Sequence, residues 1–463
     1  MKKTLLSIAL FSTIYLSAQT TIVEDKDAKT YRYTKATLLP NSNFIINGRD
    51  LYDENGTAKP FMDPSIKFGF IKSANTENAF AYQDDSEGVF KIKMGYIIDS
   101  KLVELKNAEL RDDNILVFEK SQNFTSKYIY TLRNSKGKFD VDFEKDDLYL
   151  CVKDMLTRKK NTFKIEKPNL DRYIGSNFIK SKEEFRFNLA VNYDNTVDLI
   201  SKSISKDYSN TLLYRTSLSN EGKKINELVY DLKIPNHVFL YSNNGGGKFV
   251  QGGYDNKFKH FGDDLSINNY IEDFKTGDIY VYGLYGNDSA KLNDMASPKG
   301  FYVFKFDKEG NKLWESINDI KDADLNKNHV MTTVFVDLYQ LGNNVCFTIR
   351  INGLKDFFNY SIIDKPSGKV AKTQNLKFDE TFAHLDDTDN NHYDINSDFK
   401  GISKAKFDFN GIVAVNSNSK VADYVKNVKS RNNLFFSSQF SDKGIWLYEA
   451  CENEYFKVTL FKN

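Results

Sequence analysis

The chain has 463 residues, with 64 basic and 63 acidic side chains. That balance leaves no global field to steer it onto nucleic acid or an anionic bilayer. Its three cysteines, Cys151, Cys346 and Cys451, are too few for a disulfide scaffold. Their contexts, YLCVK, NNVCFTI and YEACEN, read as buried small hydrophobes, with one disulfide as the alternative.

Met1-Lys2-Lys3-Thr4 is a short basic opening, Leu5 to Leu16 carries no charge, and Ser17-Ala18-Gln19 supplies small residues at a cleavage point. As a helix the uncharged run spans about 18 Å, too short for a hydrocarbon core of about 30 Å. This order of features predicts a cleaved export signal over residues 1–18. Residues 19–463 are then one exported domain, placed in the periplasm, at the cell surface or outside the cell. No later run reaches the ~18 apolar residues of a membrane helix, so the mature chain is expected to have no transmembrane segment.

From there on, short runs of Val, Ile, Phe, Tyr and Thr alternate with Asn, Asp, Gly, Lys and Ser, the texture of an all-β protein. Helical periodicity is nearly absent. One pattern recurs: an apolar strand, a polar turn holding one Gly, then Lys and a second strand. It occurs at Arg49–Phe61, Tyr128–Phe143, Leu212–Tyr230, Phe301–Ile317 and Tyr360–Leu376. Phe301 and Val303 alternate with Tyr302, Phe304 and Phe306, so both faces of that strand are apolar and belong between packed sheets. A further strand precedes four of the hairpins, as in DNTVDLISKSISKD and GDIYVYGLYGND. Each unit is therefore a meander, and repeated meanders predict a β-propeller.

The copy FKFDKEGNKLWE resembles the outer-hairpin segment of bacterial β-propeller repeats. Turn glycines at 56, 137, 222, 310 and 368 are spaced more widely than single blades. The resemblance therefore implies degenerate turns or long insertions between them, and roughly six to eight blades. The alternative is a tandem of β-sandwiches, with a boundary in the basic stretch Arg158–Arg172. The closing segment KGIWLYEACENEYFKVTLFKN resembles the last strands of C-terminal sorting domains of Gram-negative secretion. Its plainer reading is a hairpin that completes the last blade.

Among chemistry-bearing residues, Asp387, Asp389 and Asn391 stand at positions one, three and five of a Ca²⁺-type loop, with Asp398 at twelve. His392 at the sixth position, where such a loop needs Gly, favours a solvated polar loop instead. His384 and His392 lack a third ligand. Asn243–Lys248 is Gly-rich but is followed by Phe249-Val250 rather than a helix, so it reads as a hairpin tip. The pairs Asp112-Asp113, Asp146-Asp147 and Asp263-Asp264 act on sugars only if two carboxyls face a glycosidic bond. Trp314, Trp446 and the stripe Tyr280, Tyr282 and Tyr285 read as core. Asp288-Ser289-Ala290 resembles the acceptor of O-glycosylation in exported Gram-negative proteins, which would modify Ser289.

The reading is a non-catalytic binding or scaffold protein that offers a propeller face to an envelope or extracellular protein or a glycan. The alternative is a carbohydrate-active hydrolase on the same fold. Beyond the Ca²⁺ candidate, no cofactor is expected.

Overall fold

The computed structural model describes residues 19–26, 36–38, 43–46, 50–59, 70–73, 79–84, 93–98, 101–104, 127–136, 146–166, 188–191, 196–204, 210–233, 237–240, 247–248, 270–273, 275–287, 298–322, 333–352, 357–376, 392–394, 405–429, 434–451 and 453–462. Their strands form seven sheets, which we number around the ring. Sheet I spans residues 36–59, sheet II 70–104, sheet III 128–165, sheet IV 188–233 and sheet V 237–319. Sheet VI is built on residues 333–376, and sheet VII on Leu434–Ser441, Gly444–Cys451 and Tyr455–Lys462. Within each, successive strands run antiparallel from an inner first strand to an outer last one.

Sheet V shows why these residues build a propeller. Tyr280, Tyr282, Leu284, Phe301 and Val303 pack against Val336, Val345, Phe347 and Ile349 of sheet VI. Ile279, Val281, Tyr285, Tyr302, Phe304 and Phe306 pack against Leu213, Tyr230 and Leu232 of sheet IV. Each fully buried side chain of this size contributes about 1.5–3 kcal/mol, so a sheet apolar on both faces is stable only between neighbours. The same packing joins III to IV and VII to I. The ring closes through the start of the chain. Gln19–Asp25 pairs antiparallel with Tyr455–Lys462 and supplies the outer strand of sheet VII.

The third and fourth strands are joined by turns of two lengths. In the shorter, Asp53, Ser219 and Asp307 each accept from the Gly three residues on and donate to the carbonyl four residues on. Their side-chain oxygens also accept from turn amides, as in Asp307 Oδ1 with Asn311 N at 2.7 Å. The longer form has one more residue, at Asp154–Lys159 and Asp364–Lys369.

These turns also clasp the preceding sheet's outer strand. A Cβ at Gly222 would meet Ile165 and Phe163 of sheet III, one at Gly310 would meet Leu228 of sheet IV, and one at Gly56 would meet Ile22 and Val23. The first strand thus takes the outer-strand role toward sheet I. In sheet III the glycine position is held by Arg158 at φ 62°, whose guanidinium donates to Glu104 O of sheet II at 3.1 Å.

Tyr128–Asn134 pairs with Leu148–Asp154, whose apolar LYLCVK is buried on both faces. Gly137 and residues 138–145, which the expected hairpin would use, lie outside the described residues.

Helix is also present, as α1 (Phe409–Ser417) and α2 (Ser419–Asn427). Asp408 caps α1 by accepting from Gly411 N at 2.6 Å, and Asn418 caps α2 by accepting from Lys420 N at 3.0 Å. Ile412, Val413, Ala414, Val415, Val421 and Val425 are buried between Cys346 and Tyr360 of sheet VI and Phe436, Leu447 and Phe461 of sheet VII. The helix pair therefore forms a wedge between those two sheets.

The closing residues resembling a sorting domain are the second and third strands of sheet VII, paired along their length. Among the described residues no helix is long and apolar enough to cross a membrane.

Candidate functional site

The two faces of the ring differ. One carries the turns between first and second strands and between third and fourth strands. Those among the described residues are short, and residues 273–278 join Glu272 to Ile279. The strands that flank residues 26–35, 60–69, 85–92, 135–147, 166–187, 288–297, 320–332 and 377–405 end at the opposite face. Sheet V adds to it. Its inner position is shared by His237–Leu240 and Tyr270–Glu272, both paired with Ile279–Asn287. From the chain between them, Gly247–Lys248 pairs with the inner strand of sheet VI. In sheet VII, Lys406–Asp408 lies parallel to Leu434–Ser441 on its inner side, and His392–Asp394 pairs beyond it. The ring's centre is thus partly occupied by the chain's own strands.

The short-turn face is stitched by polar contacts. Lys365 Nζ reaches Asp273 Oδ2 at 3.1 Å and Gln340 Oε1 at 2.9 Å, and Gln340 Nε2 donates to Glu272 O. Lys275 pairs with Asp442 at 2.5 Å and Lys443 with Glu54. Burial works against the Asp442 charge, but Lys275 outweighs it and holds the carboxyl below its usual range.

Between sheets IV and V, Asp198 is fully buried and accepts from Arg215 Nε at 2.6 Å and Ser217 Oγ at 2.5 Å. Glu272 approaches the same guanidinium at 3.6 Å. Two carboxylates thus converge on one arginine, drawn from three strands with no local signature in the sequence. A guanidinium between them fills the place a glycosidic bond would need. Near the long-loop face, Tyr285 OH donates to Asp319 Oδ1 at 2.5 Å. Burial raises the Tyr285 phenol, and Asp319 adds to the effect. Glu449, 4% exposed, accepts from Tyr424 OH of α2 at 2.5 Å and from Tyr455 OH.

Asp387, Asp389, Asn391, Asp398, Ser289, His384, Asp112-Asp113 and Asp263-Asp264 lie outside the described residues. Asp147 pairs with Lys164 at 2.7 Å in an exposed strand pair, and Asp146 accepts from Asn134. Trp446 is fully buried between sheets VII and I, and Tyr280, Tyr282 and Tyr285 are buried in sheet V. Trp314 donates its indole N–H to Lys365 O at 2.8 Å. The three cysteines are free thiols and buried. Among the described residues no group of three or more His, Cys, Asp or Glu could hold a metal.

No protein-family model matches the sequence. No curated protein matches it either. Among solved structures, the quinohemoprotein alcohol dehydrogenase of Comamonas testosteroni is 11% identical, with a TM-score of 0.27 over 79% of this chain and 47% of that one. The present chain thus spans about half of that enzyme's length. The α-L-arabinanase of Penicillium chrysogenum, complexed with arabinobiose, is 9% identical with a TM-score of 0.26, over 73% and 94%. BBS1N, in complex with ARL6DN, is 8% identical with a TM-score of 0.27, over 96% and 98%. These scores are low, and the propeller rests on this chain's own seven sheets and their cyclic packing.

Proposed function

We propose that the chain is an exported, non-catalytic binding protein of the cell envelope or extracellular space, whose long-loop face meets a protein or a glycan. The observation that carries this reading is the asymmetry of the ring. Among the described residues the turns of one face are short and hydrogen-bonded, and the strands that flank the long connections end at the other. Rigid strands presenting variable loops at one end are the usual geometry of a recognition surface. Asp387, Asp389, Asn391, Asp398 and Ser289 lie in stretches outside the described residues whose flanking strands end at this face. Weak Ca²⁺ binding and glycosylation there are parts of the same proposal.

The pattern of residues 1–18 supports export. The described strand Gln19–Asp25 lies wholly after Ala18.

The test is cross-linked capture of tagged residues 19–463 from the cell envelope, beside a variant in which residues 288–297 and 320–332 are replaced by short Gly-Ser links. A near-stoichiometric protein or polysaccharide partner, lost in the variant, is the expected result. Capture that survives the replacement, or release of reducing sugar from an added polysaccharide, overturns it.

A further inference from the structure

We infer that the outer surface of the helix wedge between sheets VI and VII is a docking site for an acidic polysaccharide. Three segments are brought together there: α2 with the residues just after it (419–429), the outer strand of sheet VI from its entry (369–376), which reaches the helix pair through Lys372, and the third strand of sheet VII (455–462), which meets Tyr424. On the wedge side they carry six lysines, Lys369, Lys372, Lys420, Lys426, Lys429 and Lys457, against Asp423 and, at the entry to the last of these strands, Glu454. The whole chain is balanced at 64 to 63, so this is a strong local departure.

The geometry holds the charges together and outward. Lys369, Lys372, Lys420, Lys426 and Lys429 are exposed. Lys372 Nζ donates to Asn416 O at the end of α1 at 2.6 Å, which ties the sheet VI lysines to the corner between the helices. Lys457 Nζ lies 5.1 Å from the centre of the Tyr424 ring, which ties the sheet VII lysine to the middle of α2. Asp423, 3.8 Å from Lys426, is the one acid of α2 and stands among Lys420, Lys426 and Lys429. The nearby Glu449 is buried beneath α2, where Tyr424 and Tyr455 take up its oxygens.

The chemistry of the patch selects among anionic partners. Lysine ammonium groups are point charges that suit repeated carboxylates without fixing one bidentate geometry. A bilayer needs apolar side chains to enter it as well as charge. The large hydrophobic side chains exposed among the described residues, Leu156, Ile225 and Leu313, lie on sheets III, IV and V instead. Single-stranded nucleic acid needs exposed rings for base stacking, whereas the Tyr424 ring is half-buried against Phe461 and Lys457. An acidic protein partner would want an apolar centre within the patch. A flexible, polar, carboxylate-bearing polymer needs none of these. The inference rests on the proposed envelope or extracellular location but not on the long-loop face.

The experiment uses residues 19–463 and polygalacturonate as the probe, with uncharged dextran and phosphatidylglycerol-containing vesicles as comparators. Binding is read at about 50 and 300 mM salt. The expected result is salt-sensitive binding of polygalacturonate but not dextran, weakened about tenfold in Lys420→Gln/Lys426→Gln/Lys429→Gln. Lys369→Gln/Lys372→Gln, which leaves α2 untouched, weakens it in the same direction and keeps the test decisive if the first variant fails to fold. Lys223→Gln/Lys308→Gln, exposed lysines of sheets IV and V, leaves it unchanged. Absence of binding, equal loss in that control, or tighter binding to the vesicles overturns the proposal. Envelope capture through the long-loop face persists in the lysine variants, so either reading can fail alone.

Discussion

The indole of Trp314 lies against Gly368, so close that a Cβ on residue 368 would stand 2.6 Å from its ring atoms. The contact crosses from the outer strand of sheet V to the outer turn of sheet VI. It is completed by the indole N–H on Lys365 O, three residues before the glycine. Gly368 also has φ 70°, a region that costs a side-chain-bearing residue about 1–3 kcal/mol. Gly368→Ala is therefore expected to lose about 2 kcal/mol or more, because strain and displacement of Trp314 act together. Urea unfolding checks this as a lower midpoint at unchanged slope. The accompanying signal is a red shift in the fluorescence of Trp314, since Trp446 remains fully buried. An unchanged midpoint would mean the clasp does not contribute to stability.

Removal of residues 19–25 takes away the outer strand of sheet VII and uncovers Gly56 and the cluster where Ile22 and Val23 meet Phe44, Tyr52 and Trp446. The loss is expected to be on the order of 3 kcal/mol or more, counting two part-buried aliphatic side chains and a strand's worth of backbone pairing. Thermal melting and limited proteolysis of residues 26–463 beside residues 19–463 provide the comparison. Equal melting temperatures would show that the ring does not depend on this strand.

The outer turns make the fold acid-sensitive. The Thr57 amide draws the Asp53 carboxyl below its ordinary range, and the Thr157 amide does the same for Asp154. At Asp307 burial pulls upward, and donation from the Asn311 side chain and amide outweighs it. A carboxyl lowered in the folded state stabilises above its unfolded value of about 4 and loses that contribution as pH falls through the folded value. Melting temperature is thus expected to drop below about pH 4. The Asp53→Asn/Asp154→Asn/Asp307→Asn variant, which keeps a side-chain acceptor, should show a shallower drop. Parallel pH profiles would assign acid sensitivity elsewhere.

Arg215→Ala would leave the buried Asp198 carboxylate with Ser217 as its side-chain donor and no countercharge. Breaking one side of a buried pair costs about 3–5 kcal/mol. Asp198→Asn/Arg215→Met, which removes both charges and keeps an acceptor for Ser217, is expected to recover most of that. A double-mutant cycle by chemical denaturation measures the coupling. Additive losses would show that the two side chains act independently.

Much of this architecture was legible where the chain states its geometry locally. Asp307–Gly310, Ser219–Gly222, Asp53–Gly56 and Asp364–Gly368 announce outer hairpins because a turn needs both an acceptor side chain and a positive-φ residue within a few positions. Sheet III escaped because Arg158 adopts that conformation without being glycine. The helices escaped because the β-branched apolar run Ile412–Val415 reads like a buried strand, and its helical state depends on the Asp408 cap and burial between two sheets. The closing role of Gln19–Asp25 is set by a partner at the other end of the chain. The Asp198–Arg215–Glu272 cluster is likewise assembled from distant strands, so no spacing in the sequence marks it.

That closing pair also sets a schedule. Gln19–Asp25 waits for Tyr455–Lys462 before this pairing can form, so the ring reaches its final form only once both strands have been made. Contacts of such sequence separation slow folding, because the entropy of joining the segments is lost before the contact returns anything. If the chain is exported unfolded, as proposed, the step that locks its structure falls on the far side of the membrane.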